Sequence, residues 1–181
     1  MEQVFNDENE PFWRSARQLE LGPIPDASFA RFIRERFEAS GRSIAPEAVA
    51  QVLATTGGHP YATQELCYSL WEATGEAGIA DTATFVEALA GVLRSEHARF
   101  TLVWDQSSGV QRLVLQALAA ETATAITSAD YRRRHGLPGS SSIQRALDAL
   151  VAAELVTRDG PGSYRISEPF LAEWVRIFAP G

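Results

Sequence analysis

Lysine is absent from this 181-residue chain, and all 16 of its basic side chains are arginine. That absence removes whole classes of chemistry. A phosphate-gripping Gly-x-x-x-x-Gly-Lys-Ser/Thr loop needs the lysine that reaches the β- and γ-phosphates, so these residues contain none. A lysine Schiff base and a lysine general base are excluded on the same ground. Cys67 is the single cysteine. It can form no disulfide within the chain, which suits a reducing compartment. On an apolar helix face such a thiol acts as a small hydrophobe rather than as a nucleophile. His59, His97 and His135 stand far apart in no ligand-type spacing, so no metal site is expected. No apolar run approaches the roughly 18 to 20 residues needed to cross a bilayer. The opening Met1-Glu2-Gln3-Val4-Phe5-Asn6-Asp7-Glu8 has neither a basic start nor an apolar core, and a cytoplasmic protein is expected. Neither a Ser-His-Asp nor a Cys-His grouping has supporting context, and Glu8 and Glu10 fall in a segment that reads as mobile. No catalytic residue is expected.

What is present reads as a globular protein, with 45% hydrophobic and 22% charged residues. The charge is unevenly spread. Residues 1–105 carry 16 acidic and 8 basic side chains, whereas residues 106–181 carry 7 and 8. The first part is a poor surface for nucleic acid and the second is permissive.

Residues 1–25 are short and mixed. Pro11-Phe12-Trp13 carries aromatics, and Gln18-Leu19-Glu20-Leu21 alternates like one brief strand before Gly22-Pro23. The first hundred residues offer no second convincing strand, so this one is expected to complete a sheet lying outside the chain. Four helices follow. The first is expected over 28–40, capped by Ser28, with Phe29, Phe32, Ile33 and Phe37 on one face. The second starts at Pro46 and buries Val49, Val52 and Leu53. The third starts at Pro60, turns Leu66, Leu70 and Trp71 inward, and ends near Gly75. The fourth opens after Asp81 and carries Phe85, Leu89, Val92, Leu93, Phe100, Val103 and Trp104 at helical spacing, which is the pattern of a core face.

Between the second and third helices lies Thr55-Thr56-Gly57-Gly58-His59-Pro60-Tyr61. Glycine closes a helix in the left-handed conformation at no Cβ cost, and proline suits a first helical position, where a missing N–H is no loss. Free N–H groups and the positive end of a helix dipole make such a junction a place for an anion or a nucleotide. Plain helix punctuation is the alternative.

Asp105-Gln106-Ser107-Ser108-Gly109 marks a boundary. Beyond it a helix is expected over 110–120, with Val110, Leu113, Val114 and Leu118 inside. A short helix over 129–135 is capped by Ser128 and stopped by Gly136. A second, over 140–154, is capped by Ser140-Ser141-Ser142, with Ile143, Ala146, Leu147, Leu150 and Val151 inward. Two alternating runs around Asp159-Gly160-Pro161-Gly162 read as a hairpin, and a last helix starts at Pro169. Helix, helix, turn, helix, hairpin is the order of a winged helix. In a DNA-binding version the second helix of the pair enters the major groove. Its base-reading candidates are Ser141, Gln144 and Arg145, and Arg132, Arg133 and Arg158 could meet phosphates. Set against this, arginines commonly solvate a helix face, and a slight excess of positive charge is less than a dedicated DNA-binding stripe.

In this order, the chain resembles the C-terminal half of ATPases of the STAND branch of the AAA+ class, in which a P-loop domain is followed by a helical lid and a winged helix. The resemblance rests on Phe5 with Pro11-Phe12, Leu21-Gly22-Pro23-Ile24, Phe29 with Phe32-Ile33 and Phe37, and Thr56-Gly57-Gly58-His59-Pro60-Tyr61 with Gln64. It continues through Trp104-Asp105 with Gln111-Arg112, Ser141-Ser142-Ile143-Gln144-Arg145-Ala146-Leu147, Tyr164-Arg165-Ile166, Pro169-Phe170 and Trp174-Val175-Arg176. It implies a mainly α fold, divided into the tail of a P-loop domain at 1–25, a lid at 26–105 and a winged helix with a small β-hairpin at 106–181. It further implies that Gly58, His59 and Pro60 approach the base and sugar of ATP or ADP in a longer parent, with Met1 an internal residue of it. Glu168 stands where the family usually has aspartate. The P-loop and the magnesium-holding acidic strand are absent from these residues, so no hydrolysis and no cofactor are expected for the chain alone. The implied partner is the missing P-loop domain, with DNA or another protein possible through the winged helix and no membrane. A winged-helix transcriptional regulator with a helical effector domain is the alternative reading. A module that docks a partner through its apolar N-terminal segment is a third.

Overall fold

A computed structural model describes residues 24–122 and 125–179. The expected strand at Gln18 to Leu21 and the aromatics of Pro11-Phe12-Trp13 lie outside the described residues. Among those described, the chain is mainly helical, in the order α1 (Asp26–Ala39), β1 (Ser43–Ile44), α2 (Pro46–Thr56), α3 (Pro60–Ala73), β2 (Ile79–Ala80) and α4 (Thr82–Gln106). There follow α5 (Gly109–Ala120), α6 (Ala129–Arg134), α7 (Ser140–Ala152), β3 (Val156–Gly160), β4 (Ser163–Ile166) and α8 (Pro169–Phe178). Short polar side chains start several helices by taking an otherwise unpaired N–H. Asp81 and Thr84 form a reciprocal capping box at α4, Ser108 and Gln111 form one at α5, and Ser128 accepts from Tyr131 at α6.

The first half departs from expectation in its strands. Ser43 pairs with Ile79 and Ile44 with Ala80 in a two-stranded parallel ribbon, crossed over by α2 and α3. Two-residue strands are too short to show alternation, which is why sequence pattern missed them. The start of α1 also differs. Pro25, not Ser28, precedes its first turn, and the expected serine cap is an exposed residue within the helix. Phe29, Ile33 and Phe37 are buried as their spacing implies, but Phe32 is half exposed at 48%.

The second half is four helices and an antiparallel hairpin. Val156 pairs with Ile166 and Arg158 with Tyr164, and a register shift follows between Arg158 and Gly160. Gly139 is the residue before α7, which carries no side-chain cap, so the serine run begins the helix instead of capping it. Leu113 and Val151, expected inside, are each 38% exposed. Both sit at the edge of their helix's apolar stripe, where a 3.6-residue period leaves the choice of side to the neighbours.

One core runs through both halves. Its centre is Trp174 on α8, whose ring lies 6.1 Å from Phe100 and 6.3 Å from Trp104 of α4. The indole N–H of Trp174 donates to Nδ1 of His97 at 3.0 Å. Arginines close two helix ends that sequence pattern left open. Arg112 donates to the carbonyls of Trp104 and Asp105 at the end of α4, and Arg176 donates to the carbonyl of Ala119 at the end of α5. Each places a cation at the negative end of a helix dipole while satisfying carbonyls that have no partner within the helix.

Tyr131 performs the same service from the interior. Its hydroxyl donates to the carbonyls of Ala117 and Glu121, at 3.0 and 3.2 Å. Burial first, and the Glu121 carboxylate second, push its phenol up to about 12. An acid whose folded value is raised is held neutral by folding, so its contribution is intact below the unfolded value and fades between about 10 and 12. In a spectrophotometric titration one tyrosine should therefore ionise near pH 12, and Tyr131→Phe should remove that step.

Candidate functional site

The helix-to-helix junction forms as its residue types dictate. Gly57 closes α2 in the left-handed conformation at φ 57°, its N–H bonded to the Leu53 carbonyl. Gly58 follows at φ +70° and is buried, and a Cβ there would lie 3.6 Å from the carbonyl oxygen of Ile24. Pro60 then occupies the first position of α3. Two threonines that sequence pattern did not single out hold the corner. Thr56 and Thr63, both buried, share a hydroxyl hydrogen bond of 2.8 Å, and Thr56 also donates to the Val52 carbonyl. The bond spans the junction and fixes the end of α2 against the start of α3.

His59 has a local role. Its Nδ1 accepts the Ala62 N–H at 3.3 Å and so caps α3. Pro60 has no N–H, which leaves Tyr61 as the first-turn residue whose N–H has no partner among the described residues. The junction was expected to offer several free donors. Among the described residues the N–H groups of Gly58 and Tyr61 are the ones without a partner, and an anion at this turn would compete with the His59 ring for that of Ala62.

Beside Pro60 lies an apolar groove between α1 and α3, with a volume of about 520 Å³. Phe32, Tyr68 and Trp71 line it with Gln64 and Arg36. The Arg36 guanidinium is 5.0 Å from the Phe32 ring centre, and Arg42 is 3.9 Å from that of Trp71, so both cations are engaged with aromatic faces. Cys67 lines the same groove, and burial pushes its thiol up to about 12. It is therefore protonated and unreactive at neutral pH, in keeping with a packing role.

A smaller cleft of about 200 Å³ lies beyond the start of α3, where Tyr61, Arg99, Glu168 and Phe170 meet. Arg99 of α4 is ion-paired with Glu96 on its own helix, at 2.6 Å, and with Glu168 at the start of α8. Tyr61, the residue after Pro60, lines this cleft, so the junction adjoins the contact between the two halves.

The candidate nucleic-acid residues are only partly assembled. Ser141, Gln144 and Arg145 share the outward face of α7, opposite buried Ile143, Leu147 and Leu150. Arg158 is exposed on β3, a strand packed against α7. Their polar groups are already occupied, however. Gln144 donates to Asp148 at 2.8 Å, Arg145 bonds weakly to the Ser141 carbonyl, and Arg158 lies over the Tyr164 ring. Arg133 is paired with Asp130 at 2.9 Å. Arg134 meets both Asp130 and Glu121, and His135 also bonds Glu121, at 3.0 Å. The His135 hydrogen bond, with Arg134, lowers the Glu121 carboxyl. Arg132 faces inward, with its Nε buried and without a partner among the described residues. Arg133 and Arg134 are therefore paired with neighbouring carboxylates rather than presented as part of a free cationic stripe. Among the described residues no grouping of histidine, cysteine and carboxylate could hold a metal, and no helix is long and apolar enough to cross a membrane.

Helix, short helix, turn, helix and hairpin, closed by α8, define a winged-helix domain. Residues 98–177 match a family model described as "Probable winged helix domain". The match begins within α4 and ends within α8. No curated protein matches the chain.

Proposed function

We propose that this chain is the lid and winged-helix part of a STAND-type ATPase of the AAA+ class, relaying the ATP or ADP state of a longer parent into domain movement. The observation that carries this reading is the junction itself. Two successive left-handed glycines end α2, a proline starts α3, and the buried Thr56–Thr63 bond fixes the angle between them. That rigid corner adjoins an aromatic groove on one side and the Arg99–Glu168 contact with the winged helix on the other.

The residues fit one end of a nucleotide. Pro60, Gln64 and the aromatic rings of the groove suit a base and sugar. They do not suit phosphates, because the nearby arginines are engaged with rings and the His59 ring holds an N–H that a phosphate would need. In this reading phosphate binding belongs to a P-loop domain encoded before Met1. The nucleotide would supply the change of state. The Gly58–Pro60 corner would feel it, and α4 would carry it to α8. The chain alone would hydrolyse nothing. Mixing the 181-residue chain with ATP and magnesium should give no turnover above buffer, and clear turnover would refute the proposal.

The alternative, a DNA-binding regulator, has a direct test. Fluorescence anisotropy with mixed-sequence duplex DNA should show at most weak binding, in the non-specific range of about 10⁻⁴ to 10⁻⁶ M, falling steeply with salt. Arg145→Ala should leave it nearly unchanged. A tight complex that Arg145→Ala weakens, for one base sequence and not others, would favour the alternative.

A further inference from the structure

We propose that Gln64 reads the edge of an adenine base lying in the groove between α1 and α3. This rests on the nucleotide reading above, since it takes the groove as the base site and adds the residue that chooses the base. Pro60, Gln64, Tyr68 and Trp71 fall on one face of α3 at helical spacing and line the groove with Phe32 of α1. Rings of this kind stack on any base and tell none apart. Choice between bases needs a polar group with its hydrogen-bonding capacity still free.

Most polar side chains of the lining are already spent. Trp71 donates its indole N–H to Ser40 at 3.0 Å, Tyr68 donates its hydroxyl to Glu72 at 2.9 Å, and Thr63 shares its hydroxyl with Thr56. The Cys67 thiol is only a weak donor, and the Arg36 guanidinium has donors and no acceptor. Gln64 is exposed and has no hydrogen-bond partner among the described residues. Its carboxamide therefore brings a free donor and a free acceptor side by side. Adenine matches that pair on either edge, because its N6 amino group stands beside an acceptor nitrogen, N7 on one side and N1 on the other. Guanine presents two acceptors, O6 and N7, on one edge. On its other edge a rotated carboxamide meets O6 and N1–H, but the N2 amino group is left over without a partner. Arg36 is the competing reader, since two guanidinium donors match O6 and N7 of guanine.

Titration of the isotope-labelled 181-residue chain with AMP and with GMP, followed by NMR at the Trp71 indole N–H, decides the matter. The two ligands share sugar and phosphate, so only the base differs. AMP should bind about fivefold more tightly than GMP. Gln64→Ala should abolish most of that preference. Gln64→Glu should reverse it, because a carboxylate accepts from N1–H and the N2 amino group of guanine and repels the lone pair of N1 or N7 of adenine. Gln64 is exposed, so neither substitution disturbs the core, and a merely structural role would weaken both nucleotides alike. An AMP preference that survives Gln64→Ala and Gln64→Glu would overturn the inference while leaving the groove as the base site. A GMP preference that Arg36→Ala removes would make Arg36 the reader and overturn it too. If neither nucleotide moved the Trp71 signal, the groove would not be a base site, and the nucleotide reading of it would fall with the inference.

Discussion

Trp174→Ala should lower stability by about 3 to 5 kcal/mol, the largest effect expected of any single substitution in this chain. The ring is 3% exposed, touches His97, Phe100 and Trp104 across the seam between α4 and α8, and touches Phe178 on its own helix. Truncation leaves a cavity in the middle of that cluster, and the rings around it cannot all collapse inward from two different helices. For a protein of this size the melting temperature should fall by roughly 6 to 20 °C. Trp174→Phe separates packing from hydrogen bonding. It keeps most of the buried ring and loses the bond to His97, so it should cost about 1 kcal/mol for the bond together with a smaller packing term. Urea titration followed by circular dichroism distinguishes the two. If Trp174→Ala matched Trp174→Phe, the cluster would not hold the halves together.

Gly58→Val should cost roughly 2 to 3 kcal/mol through backbone strain. Space is not the obstacle, because the nearest atom to an added Cβ, the Ile24 carbonyl oxygen, lies at an ordinary contact distance of 3.6 Å. The obstacle is φ +70°, which a β-branched residue adopts only under strain. Gly58→Asn should lose far less, because asparagine tolerates the left-handed region. Gly57→Ala, also left-handed but with nothing within 4 Å of an added Cβ, should lose only about 1 to 2 kcal/mol. At Gly58 itself alanine should fall between valine and asparagine, and that order is the signature of strain. An order following side-chain volume alone would point to crowding instead.

These positions show how much of the molecule its sequence discloses. Pro46, Gly57 and Pro60 fix the ends of α2 and α3 because each has a backbone preference that few alternatives satisfy. Asp81, Ser108 and Ser128 mark helix starts for the same kind of local reason. Other features depend on what a residue meets later in space. Nothing adjacent in sequence tells that Arg176 closes α5 or that Tyr131 seals the same end, since their partners lie on another element. The β1–β2 pair escaped notice because two residues carry no period. Leu113 and Val151 were assigned inward because apolar spacing gives a stripe but not its margins. The site was legible as a junction and not in its detail. The spacing located Gly58, His59 and Pro60, but it did not tell that the His59 ring turns back on Ala62 and withdraws a donor from any ligand. Arg133 likewise looked available until Asp130 was placed beside it, and Arg158 until the Tyr164 ring was.

The central claim is that the Gly58–Pro60 corner senses a nucleotide held mainly by a domain encoded upstream. Its most direct test is the affinity of the longer protein, translated from the reading frame running into Met1, for fluorescent ADP. The frame should encode a Gly-rich loop ending in Gly-Lys-Ser/Thr, and Pro60→Ala should weaken ADP binding about tenfold while moving the melting temperature of the ligand-free protein by only a few degrees, a tenfold change being about 1.4 kcal/mol. A frame without that loop, or an affinity indifferent to Pro60, would contradict the account.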